Sequence, residues 1–171
     1  MKRQIRHSVY ETNSSSTHAI CISKEIPPKH LIPKYVPFTH GEFGWEFAVY
    51  SDVWNRASYL YEAICCVSED KKEEQEYLSI LCESLKRYGV ECLFEPVGSG
   101  YIDHGYDLYD FVKEVLSNDT KLLSYLFGNS MVVTGNDNSD DFDYYMYTNL
   151  DIYPHELKDK FKCYDIYGKG N

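Results

Sequence analysis

Residues 4–22 read QIRHSVYETNSSSTHAICI, and this stretch decides the beginning of the fold. Side chains alternate in character over residues 4–10 and again over residues 17–22, which is the period of a β-strand. The residues between them, 12–16, are the small polar types that favour turns. The sequence therefore predicts an N-terminal β-hairpin within residues 1–23.

Apolar residues at helical spacing begin at four positions in the chain. They start after Asp52, in the charged run at Lys71, after Asp107 and after Asp119. Gly89 is placed to end the second helix. The sequence therefore predicts four helices, with the third and fourth as antiparallel neighbours.

The remaining segments are expected to be strands and connections. Residues 24–40 contain four prolines and are expected to form an extended connector over the surface, and residues 40–46 a glycine-hinged loop. A buried strand is predicted at 90–97, a strand at 131–134 with its partner at 144–147, and a short helix after residue 154.

These elements predict one α+β domain over residues 1–171. A chain of this length forms one sizeable core. We expect a protruding or edge β-hairpin at 1–23, a connector at 24–40 and an α+β body at 41–171. A mixed or antiparallel sheet packed with about four helices is expected.

Charge is distributed unevenly along the chain. The net charge is −10, from 17 Lys and Arg against 27 Asp and Glu. Residues 1–40 contain six basic and two acidic side chains, which gives +4, so the other residues sum to −14. An acidic body repels nucleic acid and attracts a cationic protein, whereas the basic end suits phosphate contacts.

No apolar run approaches the roughly 20 residues that cross a bilayer, and no secretory signal is evident. The six cysteines form no CxxC pair and are expected to be reduced. These features predict a cytoplasmic protein that does not bind a membrane.

The predicted hairpin concentrates groups that suit metal-independent RNA cleavage. His7, Glu11 and His18 are candidates for proton transfer. The candidates for RNA binding are Lys2, Arg3, Arg6, Tyr10, Asn13, Ser14, Ser15 and Ser16. The alternative is that the serines and Asn13 bond their own backbone in a turn while the basic residues are solvated.

A second set of residues suggests a metal-dependent hydrolase or nuclease. Asp103 and His104 lie between glycines, and Asp137 ends a predicted strand, where acidic ligands for Mg²⁺ or Mn²⁺ often lie. Glu46 is a further candidate ligand. The alternative is an Asn/Asp/Gly turn that binds no ion.

A third possibility is a non-catalytic inhibitor or interaction module. Residues 122–157 contain many tyrosines and acidic residues and no Lys or Arg. Such a surface suits a basic protein partner.

Four segments give the chain a resemblance to a family of proteins from Gram-positive bacteria and their phages. They are ETNSSSTH (11–18), GEFGWE (41–46), YIDH (101–104) and TGNDN (134–138). Among these, the chain resembles type II-A anti-CRISPR proteins that shorten the single guide RNA when Cas9 is present. The resemblance implies that the N-terminal hairpin is needed for truncation and that Cas9 and its guide RNA are the partners. No cofactor is expected, because the groups of the hairpin suit metal-independent cleavage.

Overall fold

The structure is a computed structural model that describes residues 16–25, 27–44, 46–95, 98–103, 108–136 and 164–169. Its strands are β1 (Ser16–Ser23), β2 (Tyr35–Phe38), β3 (Glu42–Phe43), β4 (Ala48–Tyr50), β5 (Glu91–Phe94), β6 (Tyr101–Ile102), β7 (Met131–Asn136) and β8 (Tyr164–Lys169). Its helices are α1 (Val53–Val67), α2 (Lys71–Arg87), α3 (Tyr109–Ser117) and α4 (Asp119–Phe127), with a 3₁₀ turn at Lys29–Leu31. The expected single α+β domain with four helices is confirmed.

The main sheet is antiparallel and has the order β4-β7-β1-β8. Strand β1 pairs with β7 so that Ser16 faces Asn136 and His18 faces Thr134. Two parallel ribbons stand apart from this sheet, β2 with β5 and β3 with β6. The prediction that strands from both ends of the chain share one sheet is therefore confirmed.

Helix α1 lies at the centre of the molecule. It packs against β2, β6 and the other three helices, and every residue from Arg56 to Ile64 is buried. Asp52 caps its first turn by accepting a hydrogen bond from the backbone N–H of Asn55, as predicted. Because α1 is surrounded, its polar side chains must find partners inside the protein.

The second strand of the predicted N-terminal hairpin is present as β1, but its expected position is wrong. Strand β1 was expected at an edge, but it lies between β7 and β8 and pairs with both. The reason is its composition, since Ala19, Ile20, Cys21 and Ile22 are all buried. The first strand of the hairpin and the turn before Ser16 lie outside the described residues.

Other segments also differ from expectation. The connector 24–40 is not confined to the surface, because Val36 and Phe38 are fully buried. Residues 40–46 were expected to be a loop but contain β3, and residues 90–97 contain β5, which is partly exposed on both faces. Such short strands carry too few residues for a clear alternation.

The predicted helix ends are close to the observed ones. Gly89 follows α2 with a φ of 79°, which suits glycine, as predicted. Helix α4 is capped by Asn118, which accepts a hydrogen bond from the N–H of Lys121, and not by Asp119. Asp107, the partner strand 144–147 and the predicted helix after residue 154 lie outside the described residues.

None of the helices in the described part of the chain is both long and apolar enough to cross a membrane.

The cysteines of the described part of the chain are free thiols. Burial raises the pKa of both Cys21 and Cys65 to about 12. Thiolate is scarce at neutral pH in such a setting, so these cysteines act as core residues.

Arg56 is expected to be a stability determinant. Its guanidinium donates hydrogen bonds from Nη1 to the backbone oxygens of Gly128, at 2.9 Å, and Ser130, at 2.7 Å. Substitution Arg56→Met leaves those carbonyls without their donor and should lower the free energy of unfolding by at least about 2 kcal/mol. Urea denaturation measures this loss. Arg87→Met, which breaks an exposed ion pair with Asp119, should cost much less, and equal losses would contradict the prediction.

Candidate functional site: two histidines beside the β3–β6 ribbon

The described residues of the four segments that carry the sequence resemblance lie together in the fold. Strand β1 begins with residues 16–18 and pairs with residues 134–136 of β7. Residues 42–43 and 101–102 form the β3–β6 ribbon. Thr134 joins the two parts, because its hydroxyl donates a hydrogen bond to the backbone oxygen of Glu46 at 3.0 Å. Segments from four regions of the chain therefore form one contiguous structure.

His18 occupies the junction between β1 and the ribbon. Its side chain is 2% exposed. Nε2 lies 3.1 Å from the backbone oxygen of Asp103, and Nδ1 lies 3.0 Å from the hydroxyl of Tyr59. The hydroxyl of Ser16 also donates to the oxygen of Asp103, at 2.9 Å. The start of β1 is thus tied to the end of β6 and to α1.

These contacts define the protonation pattern of His18. A carbonyl oxygen only accepts, so Nε2 carries the hydrogen and Nδ1 accepts from Tyr59. Burial raises the pKa of Tyr59 well above its ordinary value, which keeps its hydroxyl proton in place. Ser16 lies 3.0 Å from Nε2, but that nitrogen is a donor and does not activate the serine. The arrangement favours a positioning role for His18.

His40 forms the second histidine centre, just before β3. Its Nδ1 lies 2.7 Å from Oε1 of Glu62, a carboxylate on α1 that is only 2% exposed. The same oxygen accepts a hydrogen bond from the backbone N–H of Gly41 at 3.1 Å. An ionised carboxylate only accepts, so Nδ1 donates to it, and in the neutral ring Nε2 then has the lone pair.

Nε2 of His40 is open to solvent. The His40 side chain is 18% exposed, and no described residue makes a hydrogen bond to Nε2. Within the described part of the chain, every buried side-chain nitrogen and oxygen has a hydrogen-bond partner. Nε2 has none, so it is not buried and contacts solvent. His40 therefore combines a fixed ring with an accessible nitrogen.

Glycines allow the close approach of backbone to both histidines. A Cβ at Gly44 would lie 3.0 Å from the His18 ring, and the φ of 125° at this position also requires glycine. A Cβ at Gly100 would collide with the carboxylate of Glu62, and one at Gly98 would collide with the His40 ring. These three positions explain why the segments around the ribbon are rich in glycine.

One face of α1 holds both histidines. Tyr59 bonds to His18 and Glu62 bonds to His40, and residues three apart lie on the same helix face. The ribbon lies across this face, with Gly41 and Gly100 at one end and Gly44 and Asp103 at the other. We call Ser16, His18, His40, Tyr59, Glu62 and Asp103 the two-histidine site.

The structure brings together only some of the residues that the sequence singled out. Ser16, His18 and Asp103 belong to the site, although Ser16 and His18 were expected on an exposed hairpin and are buried. Glu46 contributes its backbone oxygen, and its side chain is exposed. The others lie outside the described residues: Lys2, Arg3, Arg6, His7, Tyr10, Glu11, Asn13, Ser14, Ser15, His104 and Asp137.

The metal interpretation gains no support from the residues that can be placed. Across the described ranges, no three His, Cys, Asp or Glu side chains converge as metal ligands. Asp103 reaches the site through its backbone oxygen, which is bonded to Ser16 and His18. His104 and Asp137 remain untested as ligands.

Sequence reasoning missed His40, Tyr59 and Glu62. A usable signal was present for Glu62, because it is the single charged residue in the stretch 57–68. A lone charge in such a stretch is buried only when it is paired. Its partner, His40, lies 22 residues away, and local periodicity does not identify a contact across that separation.

No protein-family model, no curated protein and no solved structure matches this chain.

Tyr59→Phe tests the His18 centre. The change removes the hydroxyl that donates to the buried Nδ1 of His18. We expect the free energy of unfolding to fall by about 1 to 3 kcal/mol in urea denaturation. Tyr101→Phe, on the exposed side of the same ribbon, should change it by no more than about 0.5 kcal/mol. Equal effects of the two changes would contradict this account of His18.

Proposed function

We propose that this chain is an anti-CRISPR protein that inhibits Cas9 by inducing truncation of its single guide RNA. The observation that carries the proposal is the convergence of the four resemblance segments on the two-histidine site. Segments that only shared an ancestor's packing would be expected to scatter through the core. Their meeting beside one accessible histidine supports a shared chemical task.

The attachment of the N-terminal segment supports the same function. Ser16, the first described residue, is tied to Asp103 and His18 within the site. Residues 1–15 contain Lys2, Arg3 and Arg6 against the single acidic residue Glu11. A cationic segment that enters the fold at this point suits the delivery of an RNA backbone to the site.

Exposed basic residues after β1 add to this cationic end. Lys29 and Lys34 are exposed, and no described acidic residue forms an ion pair with them. Three lysines of the helices differ, since Lys71, Lys72 and Lys121 each pair with a glutamate. The two exposed lysines that follow β1 therefore keep their charge available for a phosphate, which favours RNA binding there.

Roles within the proposal follow from the chemistry of the residues and, for His18, from its contacts. Arg3 and Arg6 neutralise phosphates, and His7 and Glu11 supply proton transfer from the N-terminal segment. His18 holds the start of β1, to which that segment is attached. The acidic body explains the need for Cas9. This chain and the RNA are both negatively charged and bind each other poorly, whereas a basic protein can hold both together.

The direct test is a denaturing gel of labelled guide RNA incubated with this protein. We expect shortened RNA only when Cas9 is present, and no effect of EDTA, because the proposed groups need no metal. Arg6→Ala should weaken truncation and change the free energy of unfolding by no more than about 0.5 kcal/mol. Lys72→Ala on α2 is the control and should leave truncation unchanged.

Each other outcome of this gel identifies a different function. Intact RNA beside inhibited Cas9 would overturn the proposal and favour a non-catalytic interaction module. Truncation abolished by EDTA would favour the metal-dependent nuclease instead.

Lys29 and Lys34 provide a second test, of RNA contact. We expect the double change Lys29→Ala/Lys34→Ala to weaken binding to Cas9-bound guide RNA. The slope of log affinity against log salt should decrease by roughly 1.4, from two lost single-strand phosphate contacts. Fluorescence anisotropy at several salt concentrations measures this slope. The matched control is Lys71→Ala/Lys72→Ala, whose lysines are already ion-paired, and an equal decrease there would contradict the prediction.

A further inference from the structure

His40 and Glu62 form a pair that the roles above do not use. A buried carboxylate holds one ring nitrogen of His40, and the other reaches solvent. This is the arrangement by which a carboxylate fixes the tautomer of a histidine that acts as a base, and stabilises the imidazolium that forms.

The surroundings hold the His40 ring in one orientation. The ring packs against Tyr61, with 4.9 Å between ring centroids, and backbone at Gly98 lies close against its Cδ2 edge. Backbone on the other side is also fixed, because the N–H of His40 donates to Oε2 of Glu95 at 3.2 Å. A base held in this way needs little reorganisation at the moment of proton transfer.

The pair lies close to the point where the basic segment enters the fold. His40 precedes the β3–β6 ribbon, and Gly44, which contacts His18, follows it. Four residues of extended chain span at most about 14 Å. His40 and Ser16, to which the basic segment is attached, therefore lie near the two ends of one short ribbon.

We propose that His40, positioned by Glu62, is the general base of guide-RNA truncation, an inference that rests on the proposed function. Nε2 takes the proton of a ribose 2′-hydroxyl, and the freed oxygen forms a bond to the adjacent phosphorus. The bond from phosphorus to the 5′-oxygen breaks, and that oxygen receives a proton from water, whose hydroxide takes up the proton held by His40. The products are a 2′,3′-cyclic phosphate and a 5′-hydroxyl, and no metal or other co-reactant is consumed.

His40→Ala tests the proposal, with His30→Ala as the matched control. His30 is exposed in the 3₁₀ turn and makes no contact with another described side chain. We expect His40→Ala to slow truncation of Cas9-bound guide RNA by at least about 100-fold, and His30→Ala to leave it unchanged. Added imidazole should restore part of the rate to His40→Ala, which the loss of a purely structural contact would not allow.

A second variant covers the case in which His40→Ala fails to fold. In His40→Asn the side-chain amide keeps a donor for Glu62 but provides no base. A thermal melt identifies the folded variant, and that variant is the one assayed. If it cuts RNA as fast as the wild type, the inference is overturned while the proposed function stands. If the wild type produces ends other than a 2′,3′-cyclic phosphate, the inference is overturned. If the wild type leaves the RNA intact, both the inference and the proposed function are overturned.

Discussion

The fold depends on how α1 satisfies its buried polar side chains. Every residue of α1 from Arg56 to Ile64 is buried, so Tyr59 and Glu62 need partners from the rest of the chain. They find them in His18 and His40. Because the two histidines belong to different segments, these hydrogen bonds fix β1 and the β3–β6 ribbon against the same helix.

The ribbon transmits this constraint to the rest of the site. Its parallel strands are only two residues each, too short to be stable alone. Backbone hydrogen bonds at both ends extend them, from the N–H of Tyr101 to Gly41 and from the N–H of Asp103 to Phe43. Phe43 is buried beside Tyr59, with 5.2 Å between ring centroids. Apolar packing and hydrogen bonds therefore act on the same few residues and hold the ribbon against α1.

Sequence reasoning predicted the elements with strong local signals. The four helices, the cap at Asp52 and the end at Gly89 follow from spacing and from single residues, and the structure has all of them. It could not find β3 or β6, because two residues carry no periodicity. It placed β1 at an edge, since the pairing of β1 with β7 and β8 depends on residues more than 100 positions away.

The candidate site was only partly predictable, because its contacts also join distant parts of the chain. Ser16, His18 and Asp103 were singled out by residue type, but their burial depends on contacts with Tyr59 and the ribbon that spacing does not show. His40 and Glu62 were missed because neither lies in a recognisable motif, and only the fold brings them to 2.7 Å. Local sequence thus indicates which residues have suitable chemistry, and long-range packing decides which of them are exposed.

The central claim is that α1 fixes both histidines, each in a different tautomer. Long-range ¹⁵N–¹H correlation spectra of the histidine rings test it most directly. The account predicts that His18 carries its hydrogen on Nε2 and His40 on Nδ1, while the exposed His30 averages between tautomers. Averaged signals from His18 and His40 that match those of His30 would contradict the account.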